Sequence, residues 1–151
     1  MKKEHVFKCN GIVAYSCLDI KDEFLFVATW KGDLLIFNLE SKKEVGKLSI
    51  IKHWYHNMIL SNSNNMAILS CYKYQIYFVD IENRSKPTLL YSYNPEIGCV
   101  LDFSFSPNDE YVIMGGYSND LILYDLNKKK ITKKISGHSE NIPYVFYTEN
   151  G

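Results

Sequence analysis

Three large aromatic residues, Trp30, Tyr72 and Tyr117, stand 42 and then 45 residues apart, each in a short polar stretch between two apolar runs. An exposed Trp or Tyr offers wide contact area, a polar tip and little rotamer entropy to lose. Its natural chemistry is recognition rather than bond breaking. Between these positions lie a second set of candidates, His53 and Trp54, Asp102 and Tyr144, in the segments that join one unit to the next. All seven are candidate partner-binding residues. The competing expectation is that these rings cover the ends of neighbouring strands.

Other groups could do chemistry, and each has a plainer explanation. His53 and His56 are three apart and Cys71 follows in linear order only, whereas a metal site needs three or four converging ligands. No metal or other cofactor is expected. Asp102 and Asp109 could act as paired carboxylates, but a strand-edge residue and a turn residue account for them. Gly115-Gly116 fits a tight turn better than a phosphate cradle. Lys128, Lys129, Lys130, Lys133 and Lys134 span a turn and an outer strand, where lysine discourages edge-to-edge pairing. The sequence holds no GxSxG, no GxxxxGK[ST] and no HExxH. No enzymatic activity is expected.

The elements that must position these residues emerge from composition and repetition. The chain has 151 residues, 46% hydrophobic and 15% aromatic, enough apolar material for a folded core. Seventeen basic and seventeen acidic residues leave no formal net charge, and Arg84 is the lone arginine. That balance argues against a nucleic-acid or anionic-membrane partner. The longest N-terminal apolar stretch, 11–18, is too short and too closely followed by charge to be a signal peptide or a spanning helix. Cys9, Cys17, Cys71 and Cys99 show no CxxC spacing and sit in apolar surroundings, as free thiols of a reducing cytoplasm or nucleus would.

Three 21-residue segments starting at Glu23, Asn65 and Glu110 align without a gap. Each reads as an apolar run, a polar turn, a second apolar run, then Asn or Asp and an aliphatic residue: Asn38-Leu39, Asp80-Ile81, Asp125-Leu126. Runs this short, rich in Ile, Val, Leu, Phe and Tyr, are strands. In the third unit four can be drawn, at 99–105, 111–115, 121–125 and 131–135. The second and third strands of each unit are almost continuously apolar, which predicts burial on both faces. Four antiparallel strands per 42 to 45 residues make a β-propeller blade. The predicted fold is all-β, with blades at about 11–52, 53–95 and 96–138 and the first strand of a fourth in 139–151.

The sequence resembles the WD-repeat family. Gly137-His138 stands at the family's Gly-His position, Phe105-Ser106-Pro107-Asn108-Asp109 resembles its Phe-Ser-Pro-Asp-Gly turn, and Tyr124-Asp125 and Phe37-Asn38 resemble its Trp-Asp dipeptide. The family's buried tetrad needs an Asp in the turn after the second strand, where Lys31, Lys73 and Ser118 stand here, and a third-strand Trp that is absent. The resemblance therefore implies propeller topology held by apolar packing rather than by tetrads. It also implies a non-catalytic scaffold for protein–protein interaction, with a protein or peptide docking on the loop face. A propeller enzyme or small-ligand binder using the central channel is the alternative, and a ribonucleoprotein-associated scaffold a further one. Closed propellers have about four to eight blades, so the expectation is a partial ring closed by further blades or by another chain.

Overall fold

The computed structural model describes residues 5–50, 53–96 and 98–148. They form three antiparallel four-stranded sheets in sequence order, and no helix occurs among them. The first sheet holds β1 (Val13–Leu18), β2 (Phe24–Thr29), β3 (Asp33–Asn38) and β4 (Lys43–Ser49). The second holds β5 (Tyr55–Leu60), β6 (Met66–Cys71), β7 (Ile76–Asp80) and β8 (Thr88–Tyr93). The third holds β9 (Val100–Phe105), β10 (Tyr111–Gly116), β11 (Asp120–Asp125) and β12 (Lys130–Ser136), within one residue of the strands expected from sequence.

One local rule builds the first hairpin of every blade. Asp19, Ser61 and Ser106 occupy the same aligned position. Each accepts a backbone N–H with its side chain: Phe24 to Asp19 at 2.9 Å, Met66 to Ser61 at 3.1 Å, Tyr111 to Ser106 at 2.9 Å. Three residues further on, Asp22, Asn64 and Asp109 adopt positive φ of 54°, 57° and 55°. Short polar side chains tolerate that left-handed conformation best.

The central strands then sort their side chains by alternation. Phe26, Ala28, Leu34 and Ile36 leave the first sheet toward the second, where they meet Tyr55, Met58, Ala67, Leu69 and Val79. Ile68, Ile76 and Phe78 leave the opposite face of the second sheet and meet Val112, Met114, Ile122 and Tyr124 of the third. All of these are buried. At about 25 cal/mol per Å² of apolar surface, these two layers dominate the fold. No Trp stands at the third-strand position. Phe37, Val79 and Tyr124 fill it, and all three are buried.

The two ends of the stack are finished differently. The outer face of the first sheet, Val27, Leu35 and Phe37, is buried although no other sheet of the described residues lies against it, because Phe7 and Cys9 pack across it. The Phe7 ring lies 5.2 Å from Phe37 at 52°, nearly the geometry of Tyr93 on Tyr124, 5.1 Å at 54°. Tyr93 ends the outermost strand of the second blade, so Phe7 takes the place that a preceding blade's last strand would supply. At the other end Ile113, Leu121 and Leu123 remain half-exposed. The segment after β12 docks there through Ile142 and Val145, whose atoms would meet a Cβ on Gly115. It lies where a fourth blade would begin but makes no ladder, since a first strand pairs with the second strand of its own blade. Gly115 and Gly116 are strand residues rather than a turn. A Cβ on Gly116 would come within 2.2 Å of the Cys99 carbonyl oxygen, so close backbone approach requires glycine there.

Polar clamps fix the angle between blades. Asn57 donates to the Leu101 carbonyl and to Asp102, and the second Asp102 oxygen accepts the Val145 N–H at 2.9 Å. Asp109 accepts from the backbone and side chain of Asn62 and from the Ser63 N–H, all between 2.8 and 2.9 Å. The basic cluster is partly matched: Lys128 pairs with Asp125, Lys134 with Asp120, and Lys129 lies over the Tyr91 ring. The lone arginine is structural: Arg84 lies over Phe24 and Phe26 and donates to the Ile81 carbonyl. All four cysteines are free.

Because Asp109 answers three donors across the blade junction, Asp109→Ala is expected to lower stability by about 2 kcal/mol in urea unfolding, whereas Asp22→Ala, at the aligned turn with no partner blade contact of this kind, costs less.

Candidate functional site

At the end of the stack opposite the first hairpins, each blade presents its second turn beside the strand that begins it. A repeated backbone bond fixes the two: Trp30 N–H to the Ile12 carbonyl at 2.9 Å, Tyr72 to Trp54 at 3.4 Å, and Tyr117 to Cys99 at 3.1 Å. Ile142, in the segment after β12, instead donates its N–H to the Gly116 carbonyl at 2.9 Å, across to the third blade. The turns stay tight through a left-handed residue, Gly32 in the first blade and Tyr74 in the second. The aromatic positions are therefore set by the ladder rather than by loose loop.

Trp54 joins the two sets of candidates. Its ring stacks on Trp30 with centroids 5.0 Å apart and 16° between planes, and it faces Tyr72 at 6.1 Å and 41°. The three rings make one aromatic row across the junction of the first two blades. All are well exposed, Trp30 at 43%, Trp54 at 54% and Tyr72 at 65%. Trp54 and Tyr72 both line each of two small clefts. One, of about 240 Å³, is lined by Ala14, Trp30, Trp54, Tyr55, His56 and Tyr72. The other, of about 200 Å³, is lined by His53, Trp54, Tyr72 and Lys73.

Buried polar contacts hold the floor of this row. The Tyr55 hydroxyl, in the interior, donates to the Gly32 carbonyl at 3.0 Å and so ties the Trp30 turn to the second blade. Burial pushes that hydroxyl's pKa up. At the foot of the same turn Asp33 accepts from the Ser49 hydroxyl and pairs with Lys47 at 2.9 Å. Burial alone would raise the Asp33 carboxyl, but the Ser49 hydroxyl and the Lys47 ammonium outweigh it and hold the pKa below the ordinary aspartate value. Asp120, Ser136 and Lys134 repeat the arrangement in the third blade.

The remaining candidates lie elsewhere. Tyr117 is 54% exposed at its own blade's turn, and no aromatic partner joins it among the described residues. Asp102 has both oxygens engaged by Asn57 and Val145, within the joint between first strands. Tyr144 is 83% exposed on the segment after β12, two residues before the equally exposed Phe146. Tyr55 and His56 join the site without having been singled out for it. Their signal was the alternation of β5, which turns Tyr55 inward and leaves Trp54 and His56 outward. Among the described residues no group of three or more His, Cys, Asp or Glu is placed to hold a metal ion.

Since Asp33 is stabilised in its charged form, its contribution is complete above the ordinary aspartate pKa and is lost as pH falls through the lowered one. The stability difference between the parent chain and Asp33→Asn, present at pH 7, is therefore expected to shrink below about pH 4, as measured by thermal unfolding across the acid range.

No protein-family model and no curated protein sequence matches the chain. Solved structures do. The β-propeller domain of Myceliophteria thermophila Cps50 (Swd1) superposes with a TM-score of 0.73 at 17% identity over 83% of this chain. U3-55K and the RRP9 WD40 repeats each give a TM-score of 0.78 at 11% identity over 91%. The chain spans 43%, 43% and 42% of the length of those three chains, less than half of each. At such identities the likeness establishes architecture alone. This chain has the fold of a WD40-type β-propeller, represented by three consecutive blades and a docked segment at the position of a fourth.

Proposed function

We propose that the protein is a non-catalytic interaction scaffold and that it engages a protein or peptide through the end of the propeller that carries Trp30, Trp54 and Tyr72. The observation that carries this reading is the aromatic row itself. Three large rings from separate strands and turns converge in solvent on a backbone fixed by ladder bonds. Rigid, exposed aromatics flanked by small clefts are what interface hot spots are made of. Tyr117 and Tyr144 extend the same chemistry to other parts of the surface.

The far face of the third blade supports a second, architectural contact. Ile113, Leu121 and Leu123 are half-exposed, although the residues aligned with them in the first two blades are covered by the next sheet. We read this face as the place where a further blade packs, from the same polypeptide or another.

Affinity purification of the full chain followed by quantitative mass spectrometry tests the docking role. Trp54→Ala is expected to remove at least one co-purifying protein while leaving the thermal transition and far-UV spectrum in place. An unchanged set of co-purified proteins would refute the assignment of the aromatic row.

A further inference from the structure

We propose that the two clefts beside Trp54 receive a short, extended, acidic peptide segment that seats two apolar side chains, one in each cleft. This rests on the docking role proposed for the aromatic row and adds the chemistry of the partner.

Size and shape come first. Clefts of about 240 and 200 Å³ are below the usual range for a small-molecule site, roughly 300 to 1,000 Å³. Each suits a single apolar side chain. They share the Trp54 wall, so one ligand can fill both, and alternate residues of an extended peptide point to the same side. The stacking of Trp30 on Trp54 closes the gap between those two rings, which leaves no slot for a flat ring to enter there.

Charge decides the sign of the partner. Lys73 lines the second cleft, whereas the Lys31 ammonium, next to Trp30 in sequence, donates to the Asn10 side chain at 3.0 Å. Neither cleft is lined by an Asp or Glu among the described residues. Asp33, at the foot of the Trp30 turn, already answers Lys47 and Ser49. A ligand carboxylate thus finds the Lys73 ammonium at the second cleft, and a ligand cation finds no acid lining either one. The chain's zero net charge makes this a local property of the site rather than a general attraction to polyanions.

Anisotropy titrations with three fluorescein-labelled probes test the proposal: a peptide with Phe-Asp-Leu flanked by glutamates, the same peptide with Lys for every acid, and an oligouridine RNA. Tryptophan fluorescence reports occupancy independently. The acidic peptide is expected to bind and to perturb the indole emission. Trp54→Ala is expected to abolish binding, and Lys73→Glu to weaken it about fivefold, with the loss shrinking at high salt. Tighter binding of the basic peptide, tighter binding of the RNA, or binding of the acidic peptide unaffected by Lys73→Glu would each overturn the proposal. So would the failure of all three probes to bind. If Trp54→Ala nevertheless removes co-purifying proteins, the docking role stands and only the partner chemistry is wrong.

Discussion

Every sheet in this molecule is apolar on both faces, and both faces must be covered. That constraint governs the rest. A single blade cannot satisfy it, because its two central strands bury side chains in opposite directions. Stacking solves it at two junctions, where Phe26, Leu34 and Ile36 meet Leu69 and Val79, and Ile68, Ile76 and Phe78 meet Met114, Ile122 and Tyr124. The outer face of the first blade is solved by other means. Phe7 and Cys9 lie over Val27, Leu35 and Phe37, and Phe7 reproduces the ring geometry that Tyr93 makes on Tyr124. On the third blade Ile142 and Val145 cover only the part nearest Gly115, and Ile113, Leu121 and Leu123 remain half-exposed.

The strands and their order were legible in the sequence because they obey a periodic rule. Apolar runs of strand length returning every 42 to 45 residues leave few other architectures. What was not legible depends on single side chains acting between blades. Asn57, Asp102 and Asp109 are clamps because of what lies across the junction, and linear spacing holds no record of that. Gly115 and Gly116 looked like a turn because glycine is common in turns. Their actual reason is backbone crowding against Cys99 and Ile142, which depends on three-dimensional proximity. The cover by Phe7 was invisible for the same reason, since nothing in the repeat extends to residue 7.

The candidate site was legible in its components but not in its assembly. Aligned turns marked Trp30, Tyr72 and Tyr117 as one set, and the connections between units marked Trp54 as belonging to another. The structure cuts across that division. Trp54 stacks on Trp30 and faces Tyr72, while Tyr117 stands by itself. The cause is a substitution within a column. Ile12, Trp54 and Cys99 are aligned, and each accepts the N–H of its blade's turn aromatic. Only in the second blade is that residue itself a large ring. One tryptophan at a position otherwise held by smaller side chains turns two separate aromatics into a row, and it does so only at the first blade junction.

The same bookkeeping of polar groups separates the proposed docking surface from the rest of the fold. The carboxylates that could have invited a catalytic reading are occupied: Asp33 by Ser49 and Lys47, Asp102 by Asn57 and Val145, Asp109 by Asn62 and Ser63, Asp125 by Lys128. The aromatic row is in the opposite condition. Its backbone is satisfied by the ladder, its floor is fixed by the Tyr55 hydroxyl, and its ring surfaces remain in water. Preorganised contact area whose positional entropy was already lost on folding is the arrangement that favours association. The asymmetry between engaged carboxylates and unengaged rings is the physical ground for reading this end of the propeller as a surface for partners.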